Sequence, residues 1–245
     1  MVKKISDINQ AQEELKKSFE EASHAVFFGG AGVSVASGIP DFRSQDGLYN
    51  QKFDYPPETI LSHGFYLNHT SEFFDFYRQK MIALQARPNK AHLKLAQLEK
   101  ESRLSCVITQ NIDGLHQMAG SKNVCELHGS VHRNICQSCG EIYDAAWVKD
   151  TSGVCRCPKC SGQIKPDVVL YGEPLDMDVI YQAEQEIRKA DLLVIGGTSL
   201  VVYPAAGLVQ LFSGKKLIIV NKTPTPQDYA ADVVISCDIA KAFDF

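Results

Sequence analysis

The apolar and polar positions along the chain predict short buried strands that alternate with amphipathic helices. Five β-rich runs predict strands: Ala25 to Phe28, Ser105 to Thr109, Leu192 to Ile195, Leu217 to Val220 and Val233 to Ser236. Apolar residues at helical spacing predict five helices, at Ile8 to Ala22, Glu72 to Leu84, Lys90 to Lys100, Val179 to Ala190 and Ala205 to Phe212. Continuously apolar strands indicate burial on both faces. The pattern therefore predicts an α/β fold with an open, doubly wound parallel sheet.

Two stretches interrupt this alternation and are predicted to be insertions. The first runs from Ile39 to about Pro88, is rich in aromatic residues and contains Pro56-Pro57. The second runs from about Val131 to Pro166 and holds five of the eight cysteines together with the single tryptophan.

Composition places the chain among globular proteins. It has 245 residues, 44% hydrophobic and 22% charged, with a formal net charge of -4 and no block of Lys or Arg. Neither nucleic acid nor an anionic membrane is therefore an expected partner. The charged N-terminal segment lacks the apolar core of a secretory signal, which predicts a cytoplasmic protein. Leu192 to Gly214 carries no charge, but its glycines and Pro204 favour strand, turn and helix over a membrane span.

Small, amide and acidic residues follow all five predicted strands. They are Gly29 to Gly32, Gln110 to Asp113, Gly196 to Ser199, Asn221-Lys222 and Cys237-Asp238. Ligands of open α/β sheets bind in the crevice beyond the carboxyl ends of the strands. Five such ends at one edge predict a site for a polar ligand.

Gly30-Ala31-Gly32 allows two interpretations. Glycines after a strand let backbone N–H groups approach a pyrophosphate, but a plain tight turn explains them about as well. The stretch from Ser37 to Ser44 favours a ligand site, because it places a carboxylate, an aromatic ring and a guanidinium just beyond the glycines, at Asp41, Phe42 and Arg43.

The cysteine spacing predicts one structural zinc ion. Cys136-x-x-Cys139 is followed after seventeen residues by Cys157-x-x-Cys160, and four thiolates complete a tetrahedral site. Two disulfides are the alternative, which a reducing compartment disfavours. Cys155 is the alternative to Cys157 as the third ligand, and Cys157 is preferred because it gives the regular Cys-x-x-Cys knuckle.

His128, Asn111 and Asp113 are candidate catalytic residues with simpler explanations beside them. A histidine between the sheet and the cysteine module is suited to general-base catalysis near neutral pH, yet its position alone slightly favours packing. Asn111 and Asp113 suit either a turn or a pocket for a polar ligand group.

Taken together, the motifs resemble those of the sirtuin family of NAD-dependent protein lysine deacylases. They follow the family's order across nearly the whole chain, which is more specific than any single motif. The matching stretches are Gly30 to Ser34, Ser37 to Ser44, Thr109 to His116, Leu127 to Ser130, the four-cysteine module, Lys165-Pro166, Tyr171 to Glu173, Gly197 to Leu200 and Asn221.

The resemblance implies a two-domain catalytic region with acyl-lysine proteins and NAD meeting in the cleft. The Rossmann-like large domain would comprise about residues 1–38, 89–130 and 167–245, and the small domain a helical insertion (39–88) and a zinc module (131–166). Without long extensions, a minimal core of bacterial or archaeal kind is expected.

The resemblance also assigns residues to the two substrates. The cofactor glycines are Gly30 and Gly32, and Asp41 belongs to the same binding loop. The cofactor channel would be lined by Ala31, Phe42, Arg43, Gln110 and His128. The adenosine half would meet Gly197, Thr198, Ser199, Asn221, Lys222 and Asp238. The nicotinamide pocket would contain Asn111, Ile112 and Asp113, with Asp113 on the carboxamide. Val168, Val169, Leu170, Tyr171 and Gly172 would pair with the substrate backbone as an added strand.

In the reaction that the resemblance implies, the acyl oxygen displaces nicotinamide, and His128 then acts as general base on the ribose hydroxyls. The products are lysine, nicotinamide and O-acyl-ADP-ribose. Three alternatives are a protein mono-ADP-ribosyltransferase, a non-catalytic NAD-binding zinc module and, from the glycines alone, a dehydrogenase.

Family members that prefer acidic acyl groups carry Tyr-x-x-Arg where this chain has Phe74 and Tyr77, with Arg78 one position away. We therefore expect a preference for neutral acyl groups. The oligomeric state stays open, and a monomer is compatible with the sequence.

Overall fold

A computed structural model describes residues 2–245 and contains ten strands within them. The strands are β1 (Lys3–Ile5), β2 (Ala25–Gly29), β3 (Cys106–Thr109), β4 (Val124–Glu126), β5 (Gly129–Cys136), β6 (Ile142–Tyr143), β7 (Ile164–Val168), β8 (Leu192–Gly196), β9 (Lys216–Val220) and β10 (Val233–Ile235). The same residues contain nine α-helices: α1 (Ile8–Glu21), α2 (Pro57–Ile60), α3 (His63–Asn68), α4 (Thr70–Phe76), α5 (Lys90–Lys100), α6 (Leu115–Ala119), α7 (Ala145–Asp150), α8 (Met177–Lys189) and α9 (Ile239–Ala242).

Seven strands form one parallel sheet in the order β1-β10-β9-β8-β2-β3-β4. Strands β3 and β4 lie on one side of β2, and the later strands β8, β9 and β10 lie on its other side. The switch point between β2 and β8 is where an open sheet leaves a ligand crevice. The predicted doubly wound Rossmann-like fold is confirmed.

Successive residues of the central strands pack against opposite helical layers. Phe27, Val107 and Val194 belong to one buried cluster with Leu15 of α1 and Leu95 of α5. Their neighbours in sequence face a second cluster that includes Ala183 and Ile187 of α8; these neighbours are Val26, Phe28, Cys106, Ile108, Leu193 and Ile195. This two-sided burial explains why the five strands are apolar at almost every position.

Three predicted helices differ from the structure in extent or type. The Glu72 to Leu84 helix is α4 followed by a π-helix at Tyr77–Met81, and the Ala205 to Phe212 helix is a 3-10 helix at Ala205–Leu211. Helix α8 begins two residues before the predicted start, because Asp176 caps it by accepting from Asp178 N and Val179 N.

A second, antiparallel sheet with the order β6-β5-β7 belongs to a separate core. This core joins residues of the aromatic insertion, such as Phe73 and Phe74, to Val131, Val148 and Ile164 of the cysteine-rich segment. The shared core supports the two-domain division, whose boundaries stay a prediction. Among the described helices, none is long and apolar enough to cross a membrane.

Candidate functional site

Two glycine-containing loops meet at the switch point of the parallel sheet. Gly30 N donates to Gly196 O at 3.2 Å, and Gly32 N donates to Gly197 O at 2.7 Å. A Cβ on Gly32 would lie 2.8 Å from Gly197 Cα, and Gly197 itself has φ of 59°. Glycine is required here because the two loops approach each other closely. Ala31 begins the 3-10 helix that leads away from this contact.

A hydrogen-bonded cluster lies next to these loops and is centred on Ser34. Ser34 Oγ donates to Asp113 Oδ2 at 2.6 Å and accepts from Asn111 Nδ2 at 3.0 Å. His92 Nε2 lies 3.5 Å from the same hydroxyl. Asp113 Oδ1 also accepts from Leu115 N at 2.9 Å. Burial raises the pKa of Asp113. The hydrogen bonds from Ser34 Oγ and Leu115 N oppose this shift, because they favour the carboxylate.

His128 has the orientation and the environment of a neutral base. Its Nδ1 lies 2.9 Å from the carbonyl oxygen of Gln110. Because a carbonyl only accepts, Nδ1 carries the proton and Nε2 keeps its lone pair. Burial lowers the pKa of the imidazole below its usual value, and the Gln110 contact offsets part of this. The structure therefore presents His128 Nε2 as a proton acceptor near neutral pH.

Gln110 connects the two halves of the crevice. Its Oε1 accepts from Thr198 Oγ1 at 3.2 Å, and Asn221 Nδ2 donates to Thr198 O at 3.3 Å. The buried Gln110 Nε2 has no hydrogen-bond partner among residues 2–245. A buried donor of this kind costs about 1–3 kcal/mol unless a ligand or water satisfies it. This unpaired donor fits a polar ligand such as NAD in the crevice.

The remaining residues predicted for the adenosine half lie along the same edge. Lys222 Nζ pairs with Asp238 Oδ2 at 2.8 Å, and Asp238 also caps α9. Ser199 follows Thr198 and is half-buried. The structure thus brings the ends of β8, β9 and β10 together as the sequence indicated.

Asp41, Phe42 and Arg43 lie in the loop that precedes the 3-10 helix Leu48–Asn50 and packs against the smaller core. Asp41 Oδ1 accepts from Arg43 N at 3.0 Å and from Ser44 N at 2.7 Å. The Phe42 ring lies 5.5 Å from that of Tyr49, and both Phe42 and Ile112 pack against the smaller core. Both side chains therefore belong to the edge of the smaller core, and Ile112 O also accepts from Val131 N at 2.9 Å.

The segment predicted to bind the substrate backbone is only partly a strand. Val168 ends β7 opposite Gly129, and Val169 N donates to His128 O at 3.1 Å. Beyond it, Leu170 is buried, Tyr171 N donates to Leu61 O at 2.9 Å, and Gly172 has φ of 90°. The aromatic insertion therefore already pairs with the backbone at Tyr171.

The four predicted zinc ligands come together. The Sγ atoms of Cys136, Cys139, Cys157 and Cys160 all lie within 4.8 Å of one another. Zn–S bonds of about 2.3 Å in a tetrahedron place sulfur atoms about 3.8 Å apart, so the cluster fits one structural zinc ion. Cys155 lies outside it, with Sγ 3.1 Å from Thr151 Oγ1 and 3.3 Å from Arg78 Nη2.

Phe74, Tyr77 and Arg78 do not form an open acyl-binding surface. Phe74 and Tyr77 are fully buried in the smaller core, and Tyr77 Oη donates to Asn134 Oδ1 at 3.3 Å. The Arg78 guanidinium donates to Thr151 Oγ1 at 3.0 Å and to Gly153 O. The Arg78 guanidinium is therefore hydrogen-bonded to the 151–155 loop.

Sequence reasoning missed Ser34 and His92 as members of the site. Ser34 stood within the glycine motif but carried no assigned role. His92 forms a capping box with Asn89 at the start of α5, and burial lowers its pKa to about 4. The Asn89–His92 spacing is a helix-start signal and does not reveal the contact with Ser34.

The fold and the site define a class: an α/β protein with a dinucleotide-type crevice and a four-cysteine metal module. The model of the Sir2 family matches residues 30–204. An NAD-dependent protein deacetylase of Clostridium acetobutylicum is 56% identical over 234 residues, covering 94% of this chain and 96% of that protein. The chain belongs to the Sir2, or sirtuin, family.

Solved structures agree with this assignment. A Sir2 protein with a deacetylated p53 peptide and 3'-O-acetyl ADP-ribose has a TM-score of 0.87 at 38% identity, with 95% of each chain covered. A Sir2–p53 peptide–NAD+ complex has a TM-score of 0.84 at 39% identity, with the same coverage.

Proposed function

We propose that the chain is an NAD-dependent protein lysine deacylase that acts on acetyl-lysine or similar neutral acyl-lysine proteins. The observation that carries the proposal is that His128 Nε2, an acceptor without a hydrogen-bond partner among residues 2–245, lies at the same crevice edge as the Ser34–Asn111–Asp113 cluster. The 56% identity to the NAD-dependent protein deacetylase of Clostridium acetobutylicum supports it.

NAD, when bound, supplies the ADP-ribosyl group that receives the acyl group as nicotinamide leaves. The unpaired Gln110 Nε2 would donate to it, and the Thr198, Asn221 and Lys222 side chains would surround the adenosine half. Asp113 and Asn111, held by Ser34, would orient the nicotinamide carboxamide. Holding both reactants in one cleft supplies the alignment that a weak amide-oxygen nucleophile needs.

His128 would take a proton from a ribose hydroxyl through Nε2. The Gln110 carbonyl fixes the tautomer and stabilises the cation that forms. Phe42 and Ile112, which pack against the smaller core, would keep water from the reacting atoms.

The four cysteines would hold a structural zinc ion that stabilises the smaller domain and takes no part in the chemistry. We place the protein in the cytoplasm, because eight free thiols, four of them close enough to bind one metal ion, suit a reducing compartment.

The test is mass spectrometry of an acetyl-lysine peptide incubated with NAD, with free nicotinamide measured in parallel. We expect equal amounts of deacetylated peptide and nicotinamide over many turnovers, abolished in His128→Ala and retained in His69→Ala, a control histidine outside the crevice whose side chain is 43% exposed. Added mass on a protein acceptor would indicate an ADP-ribosyltransferase, and NAD binding without nicotinamide release a non-catalytic module.

The acyl preference has its own test. Arg78 is occupied by the 151–155 loop, so it is not available to pair with an acidic acyl group. We expect acetyl-lysine to be turned over much faster than succinyl-lysine in the same peptide. Equal turnover would contradict the expected preference.

A further inference from the structure

The chain crosses from one sheet to the other at His128. Strand β4 ends at Glu126 in the parallel sheet, and β5 begins at Gly129 in the antiparallel sheet. On one side of the crossover, Leu127 N donates to Thr109 O at 2.9 Å. On the other side, Val169 N donates to His128 O. The backbone around the imidazole is therefore held by two different sheets.

Arg133 bridges the two sheets beside this crossover. Its Nη1 donates to Glu126 Oε2 at 2.8 Å, and its Nε donates to Asp167 Oδ2 at 2.6 Å. Glu126 lies on β4, whereas Arg133 lies on β5 and Asp167 on β7. The Glu126 side chain is only 11% exposed, so water screens this contact less than an ordinary surface ion pair.

Movement of Asp167 would be passed on to the catalytic crossover. A Cβ on Gly129 would lie 2.0 Å from Asp167 O, so the two backbones are already in close contact. Asp167 is also two residues before Val169, which holds His128 O. Only an arginine offers two separate N–H directions that reach carboxylates on different strands at once.

We propose that Arg133 is a positioning residue that locks the two sheets together at the crossover and so fixes His128. The inference rests on the proposed function, in which His128 acts as general base after nicotinamide has left. In the proposed function Arg133 touches neither substrate. Its loss is therefore expected to slow the step that needs His128 more than the earlier, reversible release of nicotinamide.

The experiment compares two rates in Arg133→Met, Arg133→Lys and the wild-type chain. One is deacetylation of an acetyl-lysine peptide, and the other is peptide-dependent exchange of labelled nicotinamide into NAD. In Arg133→Met we expect deacetylation to fall by about fivefold to 50-fold, because small misplacements of catalytic groups are costly, and exchange to stay within about twofold. The deacetylation rate of Arg133→Lys should lie between those of the wild type and Arg133→Met, since one ammonium pairs with one carboxylate at a time.

Arg188→Met, which removes an exposed arginine of α8, is the matched control and should leave both rates unchanged. A parallel loss of both rates, or no loss of either, would overturn the inference. If the wild-type chain shows neither reaction, the proposed function fails independently. The hydrogen–deuterium exchange of residues 127–131 and 167–170 then tests the lock by itself. Faster amide exchange in Arg133→Met than in the wild type supports it, and equal amide exchange in the two proteins overturns it.

Discussion

Replacing His116 with leucine should make the protein less sensitive to acid. His116 on α6 is 1% exposed, and neither ring nitrogen has a hydrogen-bond partner among residues 2–245. Its ring lies 4.8 Å from that of His92 and 6.2 Å from that of Phe27. Burial, with a smaller contribution from His92, lowers the pKa of His116 to about 3. The imidazole is therefore neutral in the folded protein at all moderately acidic pH values.

The expected magnitude follows from linkage. A group whose folded pKa lies below its unfolded value, about 6.5 for histidine, stabilises the fold above that value and loses this contribution as pH falls. Protonation stabilises the unfolded imidazole by about 0.2 kcal/mol at pH 7 and about 2 kcal/mol at pH 5. The pKa of His116 in the folded protein lies well below pH 5. The difference of about 2 kcal/mol between the two pH values therefore depends mainly on the pKa of the imidazole in the unfolded chain.

The assay is chemical denaturation of the wild type and His116→Leu at pH 7 and at pH 5. At pH 7 the variant should match the wild type or exceed it by about 1 kcal/mol, because leucine removes unpaired polar atoms at similar volume. Between pH 7 and pH 5 its free energy of unfolding should fall by about 2 kcal/mol less than that of the wild type. Both proteins carry the same four-cysteine cluster, so acid effects on metal binding largely cancel. An equal pH dependence in the two proteins would refute the reasoning.

Three further outcomes are expected. Cys157→Ser should remove zinc from the purified protein and lower its melting temperature strongly, whereas Cys155→Ser should retain one zinc per chain by metal analysis; the reverse pattern would overturn the ligand set. Gly129→Ala should cost more than about 2 kcal/mol in denaturation, because φ is 73° and the new Cβ would meet Asp167 O. Deacetylation kcat should rise with pH with a midpoint below the usual pKa of histidine, because burial lowers the pKa of His128; a midpoint above the usual pKa of histidine would contradict its role.

The central strands could be predicted because two-sided burial makes them continuously apolar, and this signal needs no knowledge of the tertiary structure. Edge strands β1 and β4 gave no such signal. Lys3, Lys4 and Glu126 occupy them, since an edge strand is covered on fewer sides. In the aromatic insertion the sequence predicted only the helix from Glu72 to Leu84. The short helices α2 and α3 were not predicted, because they pack in the smaller core with the cysteine-rich segment and not against the strands that precede and follow the insertion.

The site was predictable to the extent that parallel strands bring their carboxyl ends together. The contacts among the side chains were not. Ser34 and Asp113 are separated by 79 residues, and no spacing rule connects them. Spacing also left Cys155 and Cys157 as alternatives. The tertiary contacts distinguish the two cysteines. Cys155 Sγ contacts Thr151 and Arg78, whereas Cys157 Sγ lies in the cluster with the other three thiols.

The glycines at the switch point show why a motif and its physical role need separate arguments. They suggested a phosphate cradle, yet Gly30 N already donates to Gly196 O at the end of β8, and Gly32 N donates to Gly197 O in the loop that follows. Their first requirement is the close packing of two loops, which any added Cβ disturbs before a ligand arrives. Loss of NAD binding after substitution at Gly32 would therefore not by itself demonstrate contact with phosphate. The unpaired Gln110 Nε2 is a more direct indication of a ligand, because no contact among the described residues accounts for it.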